Sequence, residues 1–233
     1  MAKIALFCEG VSENRMITYI TERYLGEDVT VDGIYPEVRM SHGQKKQDLD
    51  SHGGWEAVLN HCNETDIDSA LDGHDYLIIQ IDTDTCHQVH YDVQTTSEEG
   101  TKLPDETVYE RVKERILRDI SPEKRAEYEG KIIFAICFNE TECWLLPLYY
   151  ENDRKQCERT NSCIYHLNRA LQKDALGIPQ KDKNTPAAIK TYDMILKKFK
   201  PKNIPVLAQY NVGFKHFVEQ LDSIKEYVSS MDS

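Results

Sequence analysis

The chain has no apolar stretch near the roughly 20 residues that a membrane-spanning helix needs. It has no basic-then-apolar leader pattern at its start, and no two of its cysteines stand at CxxC spacing. The first absence argues against a membrane protein, and the second leads us to expect no secretion. The third argues against a zinc finger. The seven cysteines, Cys8, Cys62, Cys86, Cys137, Cys143, Cys157 and Cys163, are odd in number. A disulfide framework is therefore not expected, and reduced thiols in a cytoplasm fit best. Cys8 and Cys137 fall inside apolar runs and read as small core residues.

Positive charge is also scarce. With 28 Lys and Arg against 40 Asp and Glu, the formal net charge is -12. The overall field repels nucleic acid, so any nucleic-acid activity must rest on a local basic patch or on metal ions held by carboxylates. One such patch exists, with nine Lys or Arg against three Asp between Arg169 and Lys202. There is no internal repeat and no low-complexity tract. A composition of 40% hydrophobic and 29% charged residues over 233 positions fits one good-sized globular domain, alone or with a helical appendage.

Residues 3–9 (KIALFCE) read as a short buried strand. Ser12 then suits a helix N-cap, and over 13–25 Met16, Ile17, Ile20 and Tyr24 share one helical stripe. A weak strand at 29–39 contains Pro36, and 41–53 is a polar loop before a helix from Trp55 to Cys62. The strongest strand signal is 75–84 (DYLIIQIDTD). After a polar stretch at 85–103, a helix is expected from Pro104 to about Asp119, and a third buried strand at 131–138 (KIIFAICF). Asn139 ends that strand, and ETECWLLPLYY begins a helix. Helices are expected at 162–175, 185–198 and 211–229, with a short edge strand at 204–208. Strands alternating with helices, the best of them continuously apolar, predict an α/β fold: a mostly parallel sheet covered on both faces. We expect this layered unit to span 1–150, with a helical C-terminal extension, 151–233, packed on it.

Each of the three strong strands ends in acid: Glu9, then Asp82 and Asp84, then Glu140 and Glu142. Parallel strands put these at one sheet edge, where ligands of such folds gather. Clustered carboxylates repel unless a counter-charge joins them, and Mg²⁺ is held by one or two carboxylates plus waters and phosphate. Asp82 and Asp84, two apart, would face the same side of a strand. Glu9 has two candidate roles, metal ligand or general acid or base. Gly10 would let a phosphate approach the backbone.

The order EG-x-SE after the first strand, D-x-D after a central strand and E-x-W after a later one resembles the Toprim fold. The segments FCEGVSENRMITYI, YLIIQIDTDT and FNETECWLL are most similar to the RloB-like and OLD-related small Toprim nucleases of phage-defence systems. The resemblance covers roughly residues 3–148. It implies a metal-dependent nuclease using Mg²⁺ or Mn²⁺, with Glu9, Asp82 and Asp84 as catalytic residues and Glu9, Asp82, Asp84 and Glu142 around the metal. Glu13 and Glu140 would support them. It implies a DNA or tRNA substrate and an ABC-type or AAA-type ATPase partner that controls toxicity. Two subunits facing each other would be needed to cut both strands of a duplex. The chain departs from the pattern in its long polar insert at 85–103, which carries His87 and His90.

Lys45, Lys46 and Arg39, and the tail residues Lys197, Lys198 and Lys200, are candidates for phosphate contact, as is Lys215. The loop histidines His42, His52, His87 and His90 share no metal-ligand spacing, and Trp144 reads as core. A receiver domain also holds Mg²⁺ at the end of a parallel sheet, but it pairs two adjacent acids after the first strand and a lysine after a later one. Glu9 is followed by Gly10, and IPVLAQYN ends without lysine. A subunit that only docks on a partner is the other alternative.

Overall fold

The structure is a computed structural model that describes residues 2–35, 54–180 and 183–231, the side chains of 227–231 excepted. The candidates Arg39, His42, Lys45, Lys46 and His52 lie outside the described residues.

Four strands, β1 (Ala2–Phe7), β2 (Val29–Tyr35), β3 (Tyr76–Asp82) and β4 (Ile132–Cys137), form one all-parallel sheet in the order β2-β1-β3-β4. Alternate residues of each strand feed opposite faces. Ile4 and Leu6 of β1, with Ile78 and Ala135, pack against α1 (Val11–Leu25), α8 (Pro186–Leu196) and α10 (Val212–Met231). Ala5 and Phe7, with Ile79, Ile81 and Phe134, pack against α2 (Trp55–His61), α3 (Glu64–Gly73) and α4 (Asp105–Leu117). Burial on both faces is why these strands are apolar without alternation. The expected α/β architecture is present.

The connection from β1 to β2 runs outward through α1, and the connection from β2 to β3 crosses back over β1. The chain therefore reverses direction between β1 and β3. In open parallel sheets a crevice forms at that reversal, outside the carboxyl ends of the strands.

The described residues of 151–233 share the core of the sheet. Their helices α6 (Arg154–Cys157), α7 (Cys163–Leu171), α8, α9 (Ile204–Ala208) and α10 complete the layer on the α1 side of the sheet. Trp144, fully buried, stacks on Phe214 at 4.6 Å and Phe217 at 5.5 Å between ring centroids. The Gln220 side chain of α10 accepts from Phe134 N–H at 2.9 Å and donates to Phe134 C=O at 3.2 Å, which ties the helix to β4.

Several local expectations are corrected. Helix α1 starts at Val11 with extended Gly10 as its N-cap, and Ser12 lies inside the helix, donating to Glu13 Oε2 at 2.8 Å. Residues 204–208 form helix α9, not an edge strand, because Asn203 C=O accepts from Leu207 N–H at 2.9 Å. Strand β3 stops at Asp82, short of the expected 84. The TECWLLPL stretch is a 3₁₀ segment, Thr141–Leu148, with Pro147 inside it. Short helices α3, α5 (Pro122–Glu127) and α6 carry too few periodic apolar residues to stand out in sequence. Cys143 and Cys163 form a disulfide, which overturns the expectation that all seven thiols are free. The two residues are 20 apart in sequence, and the turn from the 3₁₀ segment into α7 brings them together.

Candidate acidic site at the carboxyl ends of the strands

Glu9 lies two residues beyond the end of β1, and Asp82 is the last residue of β3. They meet across the reversal point. Asp82 N–H donates to Glu9 Oε1 at 2.6 Å. Between them sits Gln80, fully buried one pleat before Asp82. Its Oε1 accepts from Glu9 N–H at 3.0 Å, and its Nε2 donates to Asp82 Oδ1 at 2.9 Å and to Thr141 Oγ1 at 3.1 Å. Thr141 in turn donates to Asp82 Oδ1 at 2.7 Å. One amide therefore fixes the first two acids and ties them to the segment after β4.

That segment supplies Glu142. Asn139 takes a left-handed conformation (φ 59°), which asparagine tolerates, and turns the chain into the 3₁₀ segment. Glu142 is completely buried. Its Oε1 accepts from Tyr192 Oη at 2.5 Å and lies 2.7 Å from Lys183 Nζ. Its Oε2 is buried with no hydrogen-bond partner. Lys183 Nζ also stands 3.6 Å from Glu13 Oε1 on α1. A cavity of about 300 Å³ is lined by Glu9, Gly10, Glu13, Asp82 and Lys183 among others.

The electrostatics follow from this crowding. Burial, then the Glu13 and Asp84 charges, lift Glu9 to about 8, although its bond from Asp82 N–H pulls the other way. Burial and the charge of Glu9 hold Asp82 far above the usual carboxylate range. Glu13 is raised by burial and by Glu142. Burial disfavours the Lys183 ammonium, but Glu142 and Glu13 more than reverse that, so Lys183 stays charged. Groups with strongly shifted protonation, together in a cleft, are candidates for a functional site.

The structure thus brings together Glu9, Asp82, Glu142 and Glu13, with Glu13 a direct member of the cluster. Asp84 lies past the end of β3, exposed, near enough for its charge to act on Glu9. It does not share a strand face with Asp82; Gln80 does. Glu140 accepts from Cys163 N–H at 3.0 Å, so it caps α7. Gly10 lines the cavity, and a Cβ there would stand 2.7 Å from Glu13 Oε2. His87 and His90 are exposed. Lys197, Lys198 and Lys200 are exposed and follow the last residue of α8, whose 11 residues span roughly 16 Å. They lie at the opposite end of that helix from Lys183. Lys215 pairs with Glu219 at 3.7 Å and His216 with Glu106 at 2.6 Å.

No family model, curated protein or solved structure matches the chain. What the site can do rests on its own chemistry. Among the described residues, no group of three or more His, Cys, Asp and Glu side chains is arranged as a metal site. The reason is visible in the contacts: Glu9 Oε1, Asp82 Oδ1 and Glu142 Oε1 are each taken by a protein donor. The donor set nevertheless fits a hard divalent cation. All four acids offer oxygen, the donor type such a cation takes, and Oε2 of Glu142 is buried with no hydrogen-bond partner while Oε1 holds Lys183.

Four residues of the site carried little sequence signal. Gln80 is the one polar residue among the apolar positions of YLIIQI, two before Asp82, and that spacing was its signal. Thr141 stands between two acids that drew more notice. Lys183 was one of nine basic residues of the patch between Arg169 and Lys202, with nothing to tie it to the acids, and Tyr192 had no signal.

Proposed function

We propose that this chain is a metal-dependent nuclease of Toprim type that hydrolyses phosphodiester bonds in DNA or tRNA. In this reading it is a cytoplasmic defence effector controlled by an ABC-type or AAA-type ATPase, active alone or as a homodimer. The observation that carries the proposal is the meeting of Glu9, Glu13, Asp82 and Glu142 at the sheet's reversal point, with one buried carboxylate oxygen bare. Glu9, Asp82, Asp84 and Glu142 would hold a Mg²⁺ or Mn²⁺ ion, which when bound activates water and stabilises charge at the phosphodiester. In the metal-free protein Glu9 is lifted to about 8, which suits a general acid or base near neutrality, and this is its alternative to a ligand role. Gln80 and Thr141 keep Asp82 oriented while Glu9 changes its protonation. Among the described residues no helix is long and apolar enough to cross a membrane.

The test incubates wild type and Glu9→Gln with Mg²⁺ or Mn²⁺ and a mixed pool of plasmid, single-stranded DNA and total tRNA. Cleavage by wild type alone is expected. Equal cleavage by the variant overturns the role of Glu9. A second reading, a non-catalytic subunit that docks on an ATPase, draws support from Lys183, which already neutralises part of the cluster. Cleavage by neither protein, with stable co-purification of an ATPase, favours it.

A further inference from the structure

The acidic cluster already contains a cation. The Lys183 ammonium contacts Glu142 and Glu13 and lines the same cavity as Glu9 and Asp82. Two of these buried acids, Glu142 and Glu13, thus find their positive partner in a side chain of the chain itself.

The acids and the ammonium are mounted differently. Glu9 and Asp82 hang from strand ends, Glu13 from the first turn of α1, and Glu142 from a buried 3₁₀ segment. All four are fixed to the sheet. Lys183 precedes Thr185, the N-cap of α8, and belongs to no helix or strand. Its side chain is 23% exposed, at the end of a flexible four-carbon stem. Glu142 is held independently by Tyr192 Oη. The ammonium is thus the one member of the cluster not carried by a helix or by the end of a strand, and Glu142 has a second holder in Tyr192 Oη.

The ammonium also accounts for why oxygen atoms of the right chemistry are not focused on one point. It draws Oε1 of Glu142 and of Glu13 toward itself. A divalent ion among the same carboxylates would stand within a few ångströms of it, and like charges at that range repel strongly in a buried site.

We propose that Lys183 is a built-in counter-ion that closes the acidic site in the absence of divalent metal, and that Mg²⁺ or Mn²⁺ enters by displacing its ammonium. The proposal rests on the reading of these acids as a metal site. Displacement is reciprocal: whatever draws Lys183 out favours the metal, and metal favours the outward position.

Isothermal titration of the metal-free protein with MnCl₂ and MgCl₂, with no nucleic acid present, tests this. Wild type is compared with Lys183→Met, Lys183→Gln and Lys183→Arg. The neutral variants should bind at least about tenfold more tightly, because a competing unit charge is gone. The arginine variant should stay near wild type. Without metal the neutral variants should melt below wild type, and Mn²⁺ should raise their melting temperature by more. Either neutral variant suffices if the other does not fold. Equal or weaker metal affinity in the neutral variants overturns the counter-ion role and leaves the metal site standing. No binding by wild type or any variant overturns the metal reading, and the counter-ion role with it.

Discussion

Asp82 N–H donates to Glu9 Oε1 at 2.6 Å, so the acid that follows β1 is tied to the last residue of β3 across the point where the sheet reverses. The bond stabilises the charged form of Glu9, yet burial outweighs it. Two acids that look independent in the sequence therefore act as one unit, with Gln80 bridging them.

The first prediction concerns pH. Glu9 is lifted from an ordinary 4.5 to about 8. Between those values the folded protein holds a proton there that the unfolded chain has released. The native state binds more protons, so stability falls as pH rises through that window. Asp82 and Glu13, raised as well, act in the same direction. Glu9→Gln removes one of these protons from the balance. Urea unfolding in metal-free buffer between about pH 5 and 8 should show wild-type stability falling and a flatter curve for the variant. Parallel curves would contradict the burial argument.

The second concerns the thiols. Among the described residues Cys8, Cys62, Cys86, Cys137 and Cys157 are free, and Cys143 pairs with Cys163. Alkylating the denatured protein should add five labels without reductant and seven after reduction. Both bridge residues are fully buried, which shields the bond from thiol reductants while the protein is folded. Closing a loop over a separation of 20 residues stabilises by about 3 kcal/mol, and Cys163→Ser should lose about that amount in denaturant unfolding.

The sheet was legible because burial on both faces leaves continuous apolar runs that polar residues end abruptly. The acids at those ends were legible for the same reason: Glu9, Asp82 and Glu142 interrupt runs that are otherwise uniform. Lys183 and Tyr192 were not, because they reach the site from a helical layer whose placement depends on packing. The period of α8 shows that Tyr192 faces the core, but not which buried acid it meets. Segment 204–208 was misread because IPVLA has the composition of a strand. Proline at its second position and the Asn203 carbonyl start a helical turn instead. The disulfide was invisible because no spacing rule links Cys143 to Cys163.

Two glycines should respond differently to alanine. At Gly213 a Cβ would stand 1.8 Å from the carbonyl oxygen of Ile136, a backbone atom of β4 that cannot give way. Gly213→Ala must push α10 off the sheet, and should cost about 3 kcal/mol or more in denaturant unfolding. At Gly10 the obstacle is Glu13 Oε2, the end of a side chain. Gly10→Ala should cost under about 1 kcal/mol, but it displaces Glu13 from Ser12 and so alters Mn²⁺ titration. A large loss of stability at Gly10, or none at Gly213, would reverse the assignment.

The last prediction concerns the tail lysines. Lys197, Lys198 and Lys200 are exposed just beyond α8, and Lys198 Nζ sits 4.7 Å over the Tyr149 ring. With a net charge of -12, the protein needs local positive charge to hold a phosphate backbone. Lysines remote from the acids would grip strand outside the cleavage point, not at it. Replacing all three with Glu should then weaken substrate binding and lower the slope of log affinity against log salt by about 2 to 3. Cleavage of saturating substrate should stay near wild type, because no acid is touched. Unchanged binding and slope would show that these lysines do not grip nucleic acid, and a partner protein would become the better candidate for this surface. Loss of cleavage at saturation, with binding intact, would mean that α8 transmits the change to Lys183 and Tyr192 at its other end.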